Sequence, residues 1–540
     1  MFLKISKSKG NEYISIAHSY REKGKIKQKI VGKIGRKDAF SCDDVEKIVK
    51  SLLKIVNSNM IISNSDNISE EERIKWGCVE AYRKLWNVFD FDNILKTAFK
   101  DSEHEFNALN AIFPAILDRL IIPCSKLKSF ETQNKYFEIE ESELHHFYRS
   151  LDLLAEHKEE IEKQIFLKNL ALFNQKIDVV FYDVTTYYFE SNKADEFKEF
   201  GFSKDNKINE VQVMMGLLID LEGRPIGYEL FPGNIFEGNT LEISLDKLKE
   251  RFNINRVVIV ADRGLNSKLN FKKIKEKGYD YIVGSKLKNM SAKVKKEALD
   301  LSSYNYIGEN TDENSLKYKV IEYINPVKTE EGIIEFKERI ICTYSPKRSK
   351  KDKKDRERFI EKAKELLNTP SKLNNKRGAK KYIDSTIENP ILDEEKIQED
   401  SQWDGIYGIQ TSTEDLSISK IEEAYHQLWK IEESFRVLKT NLEARPIYHW
   451  TERRIKGHFV LCFIAFLLER TLELELKKNK LPYSVEKIRD SLSALELSIV
   501  NMEDKKYILR SNPDELAKNI FKTLKIKMPQ QFEPYVVTTF

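Results

Sequence analysis

The 540-residue sequence predicts an α/β fold in which a mixed β-sheet carries helices on its faces. Apolar segments typical of buried strands begin at Ile177, Arg256 and Tyr279. A helical segment stands before each of the last two strands. Two further strand-like segments flank Glu222-Gly223 and indicate a β-hairpin. One hydrophobic core cannot serve a chain of this length, so we expect about three or four domains.

The composition excludes a chain that is disordered throughout, because 41% of the residues are hydrophobic and 11% are aromatic. The longest apolar run, Phe459–Leu468, is about half of the ~20 residues that cross a bilayer, so no membrane partner is expected. The N-terminus turns polar after three residues, and no secretion signal is expected. The five cysteines lack paired spacing, which indicates a reduced, cytoplasmic protein.

The N-terminal segment, residues 1–62, is predicted to be β-structured and basic. Lys23, Lys25, Lys27 and Lys29 recur at every second position, which places all four on one face of a strand. Between Arg21 and Lys37 there are eight basic residues and one acid, although the whole chain has a net charge of only +4. Two interpretations stay open: a solvated edge strand protected by lysine, or a ribbon that contacts DNA.

The remaining organisation follows from changes in periodicity and composition along the chain. From about Ser69 to Lys168 apolar residues recur at helical spacing, whereas the segment from Leu287 to Gln402 is poorer in apolar residues and contains strand-like runs and a basic run, Lys347–Arg358. We predict a helical module at 63–170, a core in two parts at 171–290 and 403–475, an insertion at 291–402, and a helical C-terminal region at 476–540.

Two aspartates stand where apolar strands would present them. Asp183 follows the strand residues Val179–Tyr182, and Asp262 ends the strand that begins near Val257. An acid at the end of a strand is often only a turn residue, but in an open α/β sheet functional groups also gather at strand ends. Two adjacent strands would bring both carboxylates to one place.

The third acid is predicted on a long helix from about Ser419 to Asn441. At about 100° per residue, Tyr425, Glu432 and Lys439 share one edge of its apolar stripe, while Glu433 lies opposite the stripe and is expected in water. This geometry favours Glu432 over Glu433. The alternative is an ordinary amphipathic helix in which Glu432 pairs with Arg436 at i, i+4.

Three carboxylates without a cysteine or histidine cluster suit a hard, oxygen-seeking cation, so Mg²⁺ or Mn²⁺ is expected rather than zinc. Two such ions, ~3.5–4 Å apart, would activate a water or a 3′-hydroxyl and stabilise the leaving oxygen during attack on phosphorus.

With these candidate acids, the sequence resembles the DDE transposases of bacterial insertion sequences, in the branch that carries a spaced Tyr-Arg-Glu-Lys signature. The same spacing gives Tyr425, Leu428, Glu432 and Lys439, so three of the four positions match and Leu428 replaces the arginine. The resemblance extends over most of residues 177–470. Its blocks are YDVTTYYFE, the FPGN loop, VADRGLNS and IEESFRVLKTNLEARPIYHW.

The resemblance implies a ribonuclease H-like catalytic domain with a mainly β insertion, and Asp183, Asp262 and Glu432 as the catalytic, metal-binding triad. It further implies that Tyr425 and Lys439 grip phosphates near the cleaved end, with Arg436 as a substitute for the missing arginine. Trp429, Trp403 and Tyr407 are candidates for stacking on a flipped base, although a core role is as good an interpretation for each. Leu428 removes a bidentate phosphate contact that a hairpin step would use.

The predicted function is that of a transposase that binds terminal inverted repeats, cuts at the 3′ ends and joins them to target DNA. Its partners would be double-stranded DNA, as transposon ends and as target, and a second copy of the chain in a synaptic complex. The N-terminal lysines and the helical module are the candidates for end recognition. Two rivals stay open: a ribonuclease H-like nuclease without strand transfer, and a catalytically silent DNA-binding protein derived from a transposase.

Overall fold

The computed structural model describes residues 1–22, 24–55, 68–173, 178–201, 209–235, 237–252, 254, 257–307, 315–329, 332–368, 378–384, 390–502 and 505–535. These residues form two compact units. The first contains Met1–Arg73, Leu497–Arg510 and Gln530–Phe540, and the second contains Ile74–Glu496 and Ser511–Pro529.

The first half of the chain begins with strands and continues with helices up to the central sheet. The elements are β1 (Phe2–Ser8), β2 (Asn11–Glu22), β3 (Lys25–Arg36), α1 (Cys42–Ile55), β4 (Ile68–Lys75), α2 (Gly77–Phe89), α3 (Phe91–Ala98), α4 (Leu109–Ile121), α5 (Lys126–Thr132), α6 (Leu144–Glu156), α7 (Lys158–Phe173), β5 (Val179–Tyr188), β6 (Gln212–Asp220), β7 (Pro225–Pro232), α8 (Glu237–Phe252), β8 (Val258–Ala261), α9 (Lys268–Glu276) and β9 (Asp280–Gly284).

The second half completes the sheet and then becomes mainly helical. Its elements are α10 (Ala292–Leu299), β10 (Asn305–Tyr306), β11 (Lys317–Thr329), β12 (Gly332–Tyr344), α11 (Pro346–Leu367), β13 (Ile383–Asp384), β14 (Ile391–Leu392), α12 (Glu394–Ser401), β15 (Ile406–Thr411), α13 (Ile418–His426), α14 (Trp429–Arg436), a π-helical turn (Val437–Asn441), α15 (Glu452–Lys478), α16 (Val485–Ser493), β16 (Glu496–Met502), β17 (Lys505–Arg510), α17 (Glu515–Thr523) and β18 (Phe532–Pro534).

The first unit is built from two antiparallel sheets. The order β1-β2-β3 confirms the predicted N-terminal β structure, and the second sheet has the order β18-β17-β16-β4. Two expectations are corrected here. Residues from Ser69 to Lys75 lie in a strand rather than in the first helix, and the C-terminal region contains three strands besides α16 and α17. These short strands are ordered by pairing with one another across the length of the chain, which local periodicity does not record.

The second unit contains a nine-stranded mixed sheet in the order β10-β11-β12-β15-β9-β8-β5-β6-β7. Strands β5, β8 and β9 run parallel, and the flanking strands pair antiparallel. The predicted hairpin joins β6 to β7, and Gly223 in its turn has a φ of 91°, which favours glycine. The predicted fold class, a mixed sheet with flanking helices, is confirmed.

Helices cover both faces of this sheet. On one face Val180 and Tyr182 pack in a hydrophobic cluster with residues of α8 and α9. Side chains at alternate strand positions point to the other face. There β5 contacts α14, and Tyr187 packs edge-on against Phe459 of α15 with ring centres 5.0 Å apart. Asp183 belongs to this second face, because it alternates with Tyr182.

The predicted insertion combines strands with a long helix. Strands β11 and β12, which match the two predicted strand-like runs, extend the central sheet through β15. The basic run Lys347–Arg358 lies within the 22-residue helix α11, which Ser345 caps by accepting a hydrogen bond from Arg348 N. The insertion therefore shares the sheet of the core and adds a cationic helix beside it.

Helix α15 forms the apolar centre of the helical layer. Every residue of its run Phe459–Leu468 is buried, and the helix packs against α6 and α4. Gly457 is required by this packing, because a Cβ atom at that position would lie 1.9 Å from the carbonyl oxygen of Leu151 in α6. Among the described residues, no helix is long and apolar enough to cross a membrane.

Replacing Gly457 by alanine tests this close contact. Helix propensity alone would raise stability by about 1 kcal/mol. Because the new methyl group would meet backbone atoms that cannot move aside, we expect stability to fall instead, by about 1–3 kcal/mol. Urea unfolding followed by circular dichroism measures the change. Gly32→Ala is the control, since a Cβ at Gly32 has no neighbour within 4 Å; a stabilised Gly457→Ala variant would contradict the packing.

Candidate active site

The two predicted aspartates lie at adjacent positions of neighbouring parallel strands. The β5–β8 register pairs Tyr182 with Ala261 as its last couple, so Asp183 and Asp262 follow at the same level. One detail differs from the prediction. Asp183 is not at the end of its strand, because β5 continues to Tyr188 by pairing with β6. The site thus forms where β8 ends and β5 loses its parallel partner.

The backbone orients the Asp262 carboxylate. Asp262 is exposed, and its Oδ1 accepts hydrogen bonds from Gly264 N at 2.7 Å and Leu265 N at 3.3 Å. A Cβ atom on Gly264 would lie 2.9 Å from this Oδ1, so the glycine makes the close approach possible. Asp183 is half-buried, and its Oδ1 accepts a hydrogen bond from Val184 N at 2.7 Å. Both carboxylates are therefore held before any ligand arrives.

The third candidate, Glu432, lies on α14, which contacts β5. Glu432 is exposed and forms no hydrogen bond or ion pair with the residues that the structure describes. Glu433, predicted to face water, is instead half-buried and paired with Arg470 of α15 at 3.3 Å. The predicted reason for preferring Glu432, that Glu433 would be the solvent-exposed member of the pair, is therefore wrong, and the choice of Glu432 stays a prediction. Arg436 lies 3.5 Å from Glu433, so the predicted alternative of a Glu432–Arg436 pair is not observed within the described chain.

The predicted single helix is interrupted. Helix α13 ends at His426, α14 begins at Trp429, and a π-helical turn follows in which Leu442 N donates to Val437 O at 2.9 Å. The predicted alignment of Tyr425, Glu432 and Lys439 along one continuous α-helix is therefore wrong, because the interruption and the π turn change the rotation per residue.

Lys439 lies within the π-helical turn. Its Nζ is 5.4 Å from the ring centre of Tyr187, at the far end of β5. This position places the lysine over the same face of the sheet as Asp183.

Tyr425 and Tyr407 stand together near Asp262, with ring centres 5.3 Å apart. Burial raises the pKa of Tyr425, and the negative charge of Asp262 adds to the rise, while the hydrogen bond with Tyr407 opposes it. A Cβ atom on Gly284 would lie 2.6 Å from the Tyr425 hydroxyl, so this glycine of β9 leaves room for the tyrosine. Tyr407 uses its O–H in the hydrogen bond to Tyr425, so the Tyr425 hydroxyl is the one that can donate a hydrogen bond to an anion.

Arg348 is a residue of this site that the sequence reasoning did not single out. Its guanidinium carbon lies 4.7 Å from the ring centre of Tyr407, and it lines a cleft of about 260 Å³ with Arg263. The signal was present in the basic run of α11, but only the structure shows which member of the run faces the tyrosines. The insertion thereby adds positive charge beside the aspartates.

The two candidate tryptophans differ in exposure. Trp403 precedes β15 rather than lying on it, is 8% exposed and belongs to a hydrophobic cluster with Ile340 and Ile406, which favours its core role. Trp429 is 51% exposed at the start of α14. Trp429 is therefore the exposed aromatic candidate, one turn before Glu432. Tyr407, in contrast, is half-buried between Tyr425 and Arg348.

The candidate lysines of the N-terminal unit lie on one strand. Lys25, Lys27 and Lys29 occupy alternate, exposed positions of β3, and Lys27 pairs with Glu22 at 2.5 Å. Lys23 lies outside the described residues. The placement agrees with a basic strand face and leaves both interpretations of it open.

The donor set fits a hard cation only in part. Asp183 and Asp262 offer carboxylate oxygens, the ligands that Mg²⁺ and Mn²⁺ prefer. Within the described ranges, however, no group of three or more His, Cys, Asp or Glu side chains is close enough to hold a metal ion. The register thus places the two aspartates at one level of neighbouring strands, and the described side chains do not form a completed three-carboxylate site.

Two family models match the chain. The family model described as "Transposase DDE domain" matches residues 174–468, and that described as "IS1634 family transposase, N-terminal domain" matches residues 3–64. No curated protein matches the chain. Among solved structures, a piggyBac transposase synaptic complex with hairpin DNA is similar at 8% identity, with 77% of this chain and 79% of that chain covered and a TM-score of 0.36. Since the transposase DDE domain covers more than half of the sequence and includes Asp183, Asp262 and Glu432, the chain belongs to the insertion-sequence DDE transposases.

Proposed function

We propose that this DNA transposase binds the terminal inverted repeats of its element and catalyses Mg²⁺-dependent cleavage and strand transfer through Asp183, Asp262 and Glu432. The observation that carries the proposal is that Asp183 on β5 and Asp262 directly after β8 lie at the same level of the sheet. Helix α14, which carries the exposed Glu432, contacts β5.

The three carboxylates would hold two divalent ions, which when bound supply an activated nucleophile and stabilise the leaving oxygen. The protein's part is to position charge. Backbone N–H groups hold the Asp262 carboxylate through Oδ1, while the Glu432 side chain is tied to no described group and can turn toward the aspartates. A carboxylate that completes the site only on binding would couple chemistry to engagement of the DNA.

Cations and aromatic groups around the carboxylates would bind the DNA end. Tyr425 and Lys439 occupy the signature positions, and the exposed Arg436 stands one turn beyond Glu432. Leu428 is half-buried at the start of α14 and carries no charge that could bind a phosphate. Arg348 and Arg263, which line the cleft, would supply positive charge in place of the missing arginine. Trp429 and Tyr407 would stack on a base, and Lys25, Lys27 and Lys29 would contact the DNA backbone.

Joining both ends of an element to a target needs two active sites held together. We therefore propose a homodimer on DNA in a synaptic complex, acting in the cytoplasm where the bacterial chromosome lies. The Tyr-Arg-Glu-Lys branch is part of the same proposal, with Leu428 as its deviation.

The choice between the neighbouring glutamates is tested by paired substitutions. Glu432→Gln should abolish Mg²⁺-dependent cleavage of a terminal-repeat substrate and change stability by less than about 0.5 kcal/mol, because its side chain is exposed and unpaired within the described chain. Glu433→Gln should keep most of the cleavage but lower the melting temperature, because it breaks the ion pair with the buried Arg470. Inactive Glu433→Gln with active Glu432→Gln would refute the assignment.

A strand-transfer assay with pre-cleaved ends separates the rival functions. We expect joined products with Mg²⁺ or Mn²⁺, none with a chelator, and loss of both cleavage and joining by at least about a hundredfold in Asp183→Asn, since its carboxylate would hold the ions. Asp101→Asn is the control, because Asp101 is exposed and lies outside the candidate site. Nicks without joined products would indicate a nuclease, and DNA binding that never leads to cleavage would indicate a silent DNA-binding protein.

A further inference from the structure

A second cavity, of about 500 Å³, lies where residues 443–451 meet α4, α5 and the start of α15. Its lining is strongly cationic. Arg119, Lys126, Arg445 and Arg454 contribute to it, and Glu443 is the acid among the described lining residues. Such a wall attracts an anion rather than a neutral ligand.

Lys126 is the clearest sign that a ligand belongs in this cavity. Its side chain is 2% exposed, and Nζ has no hydrogen-bond partner among the described residues. The neighbouring Asp118 carboxylate accepts the Tyr136 hydroxyl at 2.7 Å through Oδ1, while its buried Oδ2 also has no hydrogen-bond partner among the described residues, and its charge offsets part of the cationic surroundings of Lys126. Arg119 donates to the carbonyl of Glu443 at 3.0 Å. A buried, unpartnered ammonium group is costly, so the protein keeps it at the expense of stability.

The positive potential reaches the histidines of the cavity. Burial and the charge of Lys126 lower the pKa of His449 to about 4, and burial and the charge of Arg119 lower the pKa of Lys126 to about 8. His458 is 3% exposed, and its Nδ1 also lacks a partner among the described residues. Bound negative charge would offset the positive charge of Lys126 and Arg119 that acts on this cavity.

The N-terminus of the long helix α15, which is the positive end of its dipole, also lies at the cavity. Thr451, which lines it, caps the 27-residue α15 by accepting a hydrogen bond from Arg454 N. The first N–H groups of a helix favour phosphate and carboxylate groups. Arg454 lies 3.6 Å from Asp152 and is 40% exposed, so it is accessible to a ligand.

Two aromatic side chains stand exposed at the rim. Tyr448 and Trp450 are 67% and 68% exposed, which is unusual for large apolar groups. Lys198 donates to the carbonyl oxygen of Trp450 at 2.9 Å and so holds the tryptophan's backbone. Aromatic surfaces beside a cationic groove are how proteins hold nucleotides, through stacking on the bases and contacts with phosphates.

The cavity is connected to the active-site strand. Ile447 N, in the segment that carries both aromatic residues, donates to Tyr188 O at 3.3 Å. Tyr188 and Asp183 lie on the same strand, β5, so the segment that carries both aromatic residues is hydrogen-bonded to the strand of the active-site aspartate.

We propose that this cavity binds a backbone phosphate of the DNA strand that the transposase engages, with the adjacent nucleotide against Trp450. The choice of DNA as the source of the phosphate rests on the proposed function. The proposal that the cavity binds a phosphate group does not depend on that function.

The test measures binding of a labelled DNA duplex and a labelled single strand to the full chain, without divalent metal, by fluorescence anisotropy. Lys126→Met should weaken binding about tenfold and lower the salt dependence by about one phosphate contact. The melting temperature of this variant is measured alongside, so that loss of affinity through unfolding is recognised. Trp450→Ala should weaken single-strand binding by at least about fivefold. Lys128→Met is the matched control, because Lys128 lies on the same helix, is exposed and pairs with Glu131 at 3.2 Å.

Arg454→Gln provides a second variant at a partly exposed position, and it should weaken DNA binding in the same direction as Lys126→Met. Unchanged DNA affinity in both variants would overturn the proposal. So would stabilisation of the wild-type chain, but not Lys126→Met, by inorganic phosphate with no change in DNA affinity, which would identify a free-phosphate site. Because the assay involves no cleavage, failure of the proposed catalysis would leave this result standing.

Discussion

The parallel pairing of β5 with β8 is the constraint on which the rest of the site depends. Its register places Asp183 and Asp262 at one level, although they are distant in the chain. A slip of one residue would turn one of the two carboxylates to the opposite face, where Tyr182 packs in the hydrophobic cluster. The core formed with α8 and α9 therefore fixes the geometry of the aspartates as well as the stability of the sheet.

A second constraint is the ion pair between Glu433 and Arg470. Adjacent helical residues point about 100° apart, so anchoring Glu433 against α15 turns Glu432 away from that contact. Glu432 remains on a helix that packs against the strand of Asp183, because α14 itself contacts β5. This arrangement separates a glutamate held in an ion pair from an exposed and unpaired one at the neighbouring position, within the described chain.

The distribution of charge matters more than its total. The net charge is only +4, yet cations gather on β3, along α11 and around the cavity at the start of α15. Many acids are already engaged in ion pairs, such as Asp404 with Arg356 and Glu131 with Lys128. Cations left without a carboxylate partner, Lys126 above all, mark places where a polyanion can supply the missing charge.

The sequence by itself determined the mixed α/β core, the hairpin at Gly223, the two aspartates and the glutamate-bearing helix, because apolar periodicity, turn residues and strand-end acids are local signals. Only the tertiary structure decided which strands meet. It paired β4 with β16, joined β11 and β12 to the central sheet, introduced the π-helical turn and brought Arg348 to Tyr407. Long-range pairing and side-chain burial decide these features, and neither leaves a periodic pattern in the segments concerned. The cavity around Lys126 is likewise a product of the tertiary structure. A lysine in a short helix is expected to be exposed to solvent, and only its packed neighbours show that Lys126 is buried.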